Sequence, residues 1–328
     1  MIAISTKTEK MLVLSMLKGV GPATLHQVAA LPNFLLEDID WIAKKSPKIQ
    51  RSLELTSAWN TAQAQASFQI SEAQRSDTRI ISVLDEDYPE LLRLTKDAPY
   101  IIYVKGNLHT VPRKSVAIIG TRQPTKHGAM IADRVTKFFA ENGWSIVSGL
   151  ALGCDAVAHR SALANGGHTI AVLAHGLDTV SPSSHKQLTL EILEAGGALV
   201  SEYGFGSSAI PSNFVKRDRT QAGLAQGVVM IQSDVKGGSL HASRAALQYG
   251  RWLAVPYPTD QDREASEAKI QANMLFASTS VADKKNLLKC ETQDLERLHV
   301  FFGRADYPKM LDYGDCAALT RNDTGKLL

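Results

Sequence analysis

Apolar positions follow two regimes along the chain. Over residues 8–75 they recur at helical spacing: Met11, Leu12, Leu14, Met16 and Leu17 open one helix, and the Ala/Gln-rich stretch 57–73 predicts a longer one. Two extended runs follow, residues 80–84 and 100–104, the second closing at Gly106. From residue 115 onward, β-branched runs at 115–119, 145–148, 169–174, 198–202, 228–232 and 252–255 alternate with amphipathic segments of crossover length. Six such strands predict an α/β fold: a parallel sheet with right-handed crossovers and helices on both faces. Beyond residue 277 the pattern weakens to a short helix at 282–288, another at 294–302 and a frayed tail at 321–328. The expected organisation is a helical module over 1–76, a sheet domain over 77–280 with lead-in strands in 77–114, and a short extension over 281–328.

The composition, 44% hydrophobic and 21% charged, is that of a globular chain and excludes disordered and fibrous classes. The apolar runs are strand-length, far short of the ~20 residues a bilayer requires, and the amino terminus lacks the pattern of a signal peptide. A cytoplasmic, membrane-free protein is expected. Three cysteines, Cys154, Cys290 and Cys316, at wide spacing and without a CxxC pair, argue against a disulfide framework and a zinc site. The net charge of +3 is mildly basic, but Lys and Arg cluster at 44–51, 114–126, 216–219 and 284–289, which makes local positive fields.

Ligands of an open parallel sheet bind beyond the carboxyl ends of its strands, so the residues there carry the candidate chemistry. The first strand runs into Gly120, Thr121 and Arg122, with a helix beginning near Lys126; a helix start with a hydroxyl and a guanidinium favours an anion. The second runs into Ser148 and Gly149 and then Asp155, placed as a helix cap. The fifth leads to Gly237, Gly238 and Ser239, a second anion nest. Lys216, Arg217 and Arg219 precede that strand; on a helix the two arginines lie about 200° apart, so one is expected to reach a ligand while the other braces the loop. Gly19 and Gly21, followed by Pro22, have the form of a helix-hairpin-helix turn that exposes N–H groups to phosphate, and equally suit a tight turn between packed helices. GxGxxG is absent, so no dinucleotide cofactor is expected, and none of another kind is indicated.

In order along the chain, Tyr88-Pro89, Gly120-Thr121-Arg122, Ser148-Gly149-Leu150-Ala151, Asn213-Phe214, Arg217-Asp218-Arg219 with Ala222-Gly223-Leu224, and Gly238-Ser239-Leu240 resemble the motifs of the DprA/Smf family. The resemblance spans residues 80–255 and implies an extended Rossmann domain, usually dimeric. It also implies a basic pocket for single-stranded DNA and delivery of the strand to a RecA-type recombinase in natural transformation. Departures mark a divergent member: Val215 where the family has Pro, Asp218 where it has Asn, Thr220 and Gln221 where it has isoleucines. The added carboxylate of Asp218 weakens local anion attraction. A DprA-like antitoxin paired with a cognate toxin in phage defence is the alternative setting for the same core.

Related hydrolases use a PGGxGTxxE loop; residues 237–244 lack its proline and its acid, so a non-catalytic DNA-binding protein is expected over a nucleotide hydrolase. Asp155 and His159, four apart, make neither a metal site nor a triad with Ser148, since no GxSxG elbow is present. Tyr203, Phe205 and Phe214 lie near the expected rim, where an aromatic can stack on a base, but core packing is the favoured role for Phe214. A stripe of Ile270, Met274, Leu275 and Phe276 on a helix starting near Glu264 is expected to form a homodimer interface.

Overall fold

The protein, described as a computed structural model over residues 4–108 and 114–313, builds its core from nine strands. They are β1 (Thr78–Ser82), β2 (Ile101–Gly106), β3 (Ser115–Ile119), β4 (Ser145–Ser148), β5 (Thr169–Leu173), β6 (Ala198–Ser201), β7 (Gly227–Met230), β8 (Trp252–Pro256) and β9 (Leu298–Phe301). Cys316 and the tail 321–328 lie outside the described residues. The sheet order is β1-β2-β6-β5-β4-β3-β7-β8-β9; β3 to β9 run parallel, and β2 joins β6 and β1 antiparallel. β3, β5 and β8 are buried at every position because helices cover both faces, which is why their sequences are continuous apolar runs rather than alternations.

On one face, helices Lys126–Glu141 and Cys154–Ala164 bury Ala132, Val135, Phe139 and Ala158 against Val116 and Ile118. On the other, helices Pro211–Gly223 and Ser239–Gln248 bury Ala222, Leu240 and Ala246 against Ala117, Ile119 and Val228. From β3 the chain steps through β4 and β5 to β6 on one side, then returns to place β7 on the other side of β3. That reversal opens a crevice at the carboxyl ends of β3 and β7.

The amino-terminal helices, among them Thr6–Ser15, Pro22–Ala29 and Ala58–Arg75, pack Met11, Leu14, Leu25, Ile42 and Ile49 into their own cluster. That cluster also takes in Tyr100, and Asp85 accepts hydrogen bonds from Ser5 Oγ (2.6 Å) and Thr8 Oγ1, so the module is bound to the β1–β2 edge.

Three expectations are corrected. The segment 294–302 is not helical: a short 3-10 turn, Thr292–Arg297, leads into β9, which pairs with the open edge of β8 from Leu253↔Leu298 to Pro256↔Phe301. Backbone pairing at that edge overrides the local pattern. Residues 281–313 are therefore not a detached extension, since β9 completes the sheet and Leu288 and Met310 are fully buried. The proposed interface stripe also dissolves. The left-handed Ser266 (φ 50°) breaks the helix, leaving Asp260–Glu264 and Gln271–Ala277 as separate pieces. Ile270 and Phe276 face the chain's own core, Leu275 packs half-buried beside them, and Met274 alone is exposed.

Phe276→Ala is accordingly expected to destabilise the fold by about 3–5 kcal/mol in urea unfolding, as truncation of a buried aromatic does. Met274→Asp should stay within about 0.5 kcal/mol of the wild type. Similar costs for the two changes would contradict the packing described.

Candidate functional site

The crevice between β3 and β7 is a cleft of about 570 Å³. Its first wall is the loop after β3. Gly120 passes so close to the start of helix Cys154–Ala164 that a Cβ would lie 2.6 Å from Cys154 Sγ, so only glycine fits. Thr121 N–H donates to Gln232 O (2.9 Å), joining this loop to the one after β7. The Gln232 amide accepts from Thr125 N–H (3.0 Å), while the Thr125 hydroxyl caps helix Lys126–Glu141 by accepting from Gly128 N–H (3.0 Å). This bracing holds Arg122 at the mouth of the cleft, exposed, with its guanidinium 5.3 Å from the centre of the Phe214 ring. That distance is within the range of cation–π attraction.

The floor is built around Arg217, which is 3% exposed. Its Nη1 donates to the carbonyls of Gly149 (2.5 Å) and Val172 (2.6 Å), and its Nε lies 3.2 Å from Asp218 Oδ1. A Cβ on Gly149 would fall 1.9 Å from Nη1, so this glycine exists to admit the guanidinium. Asp155 stands opposite and accepts from Gly149 N–H (3.1 Å) and Ala151 N–H (3.3 Å). Burial raises the Asp155 carboxyl above its usual range, opposed by Arg217; burial likewise pushes Asp218 up to about 7, again opposed by Arg217.

The third wall is the loop after β7 and helix Ser239–Gln248. Gly237, Gly238 and Ser239 line the cleft, with Lys269 paired to Asp234 (2.8 Å) beside them. His241 faces the same space; burial lowers its pKa, and the charges of Arg244 and Lys289 push the same way.

Several predicted site residues have other duties. Arg217 and Gly149 belong to the floor's internal bonding, and Ser148 is buried with its hydroxyl donated to Ile118 O (2.7 Å). Arg219 leaves the cleft altogether, as the 200° separation requires. It donates to Glu202 and to Asp97 O (2.5 Å), so both arginines brace and neither reaches out. Asp155 is not a helix cap, because Gly153 holds that position; its carboxylate instead ties the loop that precedes the helix. Lys126 and Lys216 are exposed outside the cleft lining. Gly19 takes a left-handed φ of 81° and Gly21 starts helix Pro22–Ala29 beside a second cavity, at the helical module rather than at the sheet's crevice. His159 Nδ1 is within 2.8 Å of Thr169 Oγ1, and among the described residues no group of three or more His, Cys, Asp or Glu could hold a metal.

Gln221, His241 and Lys269 line the cleft without having been predicted there, and Phe214, expected in the core, lines it as well, beside the Asp218 carboxylate. One signal was present: Phe214, Arg217, Asp218 and Gln221 stand at i, i+3, i+4 and i+7, a single face of helix Pro211–Gly223.

A parallel sheet whose strand order reverses over a loop-lined cleft defines a Rossmann-like fold, with the cleft at the position where such folds take their ligands. The family model of DNA recombination-mediator protein A matches residues 79–289, and the chain belongs to that family. It is 38% identical over 188 residues to DNA processing protein DprA of Streptococcus pneumoniae, covering 56% of this chain and 66% of that protein. To protein Smf of Escherichia coli it is 37% identical over 186 residues, 56% of this chain and 50% of the relative, so it spans half to two-thirds of these curated relatives' length. Among solved structures, S. pneumoniae DprA superposes with a TM-score of 0.64 at 28% identity, covering 83% of this chain and 97% of that one. Helicobacter pylori DNA processing protein A, described for its single-stranded DNA binding mode, superposes with a TM-score of 0.58 at 26% identity over 72% of this chain and 96% of its own.

Removing Arg217 would leave two buried carboxylates without their cation, so Arg217→Met should cost about 3–5 kcal/mol of stability, whereas Arg122→Ala should cost almost none. Calorimetric melting of both variants checks this. A carboxyl raised from 3.8 to about 7 on folding stabilises the native state while protonated; that contribution is full below the unfolded value and is lost as pH rises to about 7. Asp218→Asn should therefore flatten the decline of Tm between about pH 4 and 7; an unchanged slope would show that Asp218 does not titrate there.

Proposed function

We propose that the cleft binds single-stranded DNA and catalyses no reaction. The observation that carries this reading is Arg122, an exposed guanidinium with no ion pair among the described residues, poised over Phe214 at the mouth of the switch-point cleft. A cation beside an aromatic ring suits a phosphate followed by an unstacked base. Across the cleft, the N–H groups of Gly238 and Ser239 at the start of helix Ser239–Gln248 have no partner among the described residues and supply a second anion contact. Lys126 and Lys216 extend the positive rim.

Catalysis is disfavoured by the same geometry. Asp155 is tied to two backbone N–H groups and to Arg217, and the Ser148 hydroxyl is tied to a carbonyl, which leaves neither as a base or a nucleophile. Family membership supports the biological setting: a cytoplasmic, dimeric strand carrier in recombination that passes DNA to a RecA-type recombinase.

Fluorescence anisotropy with oligo-dT and with blunt duplex tests the reading. The single strand should bind more tightly, with log affinity falling against log salt at a slope of about −2 to −3.5 for three to five phosphates. Arg122→Ala should weaken binding about tenfold or more without lowering Tm. Equal affinity for duplex, or indifference to salt, would overturn it.

A further inference from the structure

We propose that Phe302 and Tyr257 form a stacking platform outside the cleft, on which a base of the bound single strand rests once the backbone has left the rim. The proposal rests on the reading of the cleft as a single-stranded DNA site. It carries that site beyond residues 79–289, which the family model matches, because β9 and Phe302 follow residue 289.

Two neighbouring strand ends build the platform. Tyr257 is the first residue past β8 and Phe302 the first past β9; the two strands pair in parallel, so both residues emerge at the sheet's carboxyl edge, where the cleft also opens. Tyr257 N–H donates to Phe301 O (2.8 Å) and Phe302 N–H to Asp306 Oδ2 (2.8 Å), which fixes the backbone under each ring. The rings stack with centroids 5.0 Å apart and planes 28° from parallel. Arg263, ion-paired with Asp260, holds its guanidinium over the Tyr257 ring at 5.3 Å, within the range of cation–π attraction. Tyr257 is thereby covered from two directions, whereas Phe302 is 72% exposed. An apolar ring is left open to water on a fixed backbone.

Position and surroundings argue for the occupant. Asp262, on the same short helix as Arg263, is buried and accepts from Thr125 Oγ1 (3.2 Å) and Gln232 Nε2 (3.2 Å), the two residues that brace the loop carrying Arg122. The platform is thus joined to the first wall of the cleft. Two strand spacings of about 4.8 Å separate β7 from β9. A strand advancing ~3.4 Å per nucleotide crosses that gap in about three nucleotides. A bare ring offers no hydrogen-bond pattern, so it takes any base, and it needs one that is unstacked, which a single strand supplies and a duplex does not. A protein partner would instead require a contiguous apolar patch, and the residues that follow Phe302, Gly303, Arg304, Ala305 and Asp306, are small or charged.

The test uses the whole protein and fluorescence anisotropy with oligo-dT of about 15 nucleotides, long enough to cross both sites. Phe302→Ala should weaken binding about tenfold. Phe302→Leu, which keeps apolar bulk and removes the aromatic face, should lose as much and carries the test if the alanine variant folds poorly, while Phe302→Trp should match or exceed wild type. Stacking neutralises no phosphate, so Phe302→Ala should keep the wild-type slope of log affinity against log salt, whereas Arg122→Ala should make it shallower by about 0.7. Wild-type affinity in Phe302→Leu, or an equal loss in Phe302→Trp, overturns the platform and leaves strand binding intact. A change of oligomeric state in Phe302→Leu by light scattering would make the ring a protein contact and equally overturns it. Failure of wild type to bind any strand overturns the underlying reading instead.

Discussion

A guanidinium buried under the sheet's open edge governs this structure. Taking Arg217 out of water is tolerable only because Gly149 and Val172 supply carbonyls and Asp155 and Asp218 supply opposite charge. Each neighbour is constrained in turn. Position 149 can carry no side chain, Asp155 must sit where it also gathers the N–H groups of the loop after β4, and helix Pro211–Gly223 must be phased so that residue 217 points inward. The phasing that buries Arg217 also brings Phe214, Asp218 and Gln221 onto the cleft, so the shape of the cleft follows from the accommodation of one charge.

Much of the sheet was legible in the sequence because strands buried on both faces leave uninterrupted apolar runs, and β3 and β4 fall where those runs lie. The loops after β3 and β7 that line the cleft were legible for a different reason: glycine next to arginine or serine is a local signature. What escaped was decided by distant partners. Arg219 reads as a surface cation until Glu202, seventeen residues upstream in the chain, is known to meet it. The segment 298–301 reads as helical until the open edge of β8 is there to pair with it. The stripe from Ile270 to Phe276 has the same composition whether it faces a partner or its own core, and only the break at Ser266 decides which side faces in. Phe214 was misplaced by treating it as an isolated aromatic, although its i+3, i+4 and i+7 neighbours are all polar.

The division between floor and rim also bears on how, under the proposed reading, a chain with a net charge of only +3 would hold a polyanion. Two cations, Arg217 and Lys269, face three carboxyl groups, Asp155, Asp218 and Asp234, so the interior of the cleft carries no surplus positive charge. Attraction is left to the exposed cations at the mouth, Arg122, Lys126 and Lys216, and at physiological ionic strength such charges act over about 8 Å. A rim of that reach captures a backbone already in contact but does not draw a duplex from afar. A floor without surplus positive charge gains nothing from a second phosphate, so the attraction of an anion rests on the rim.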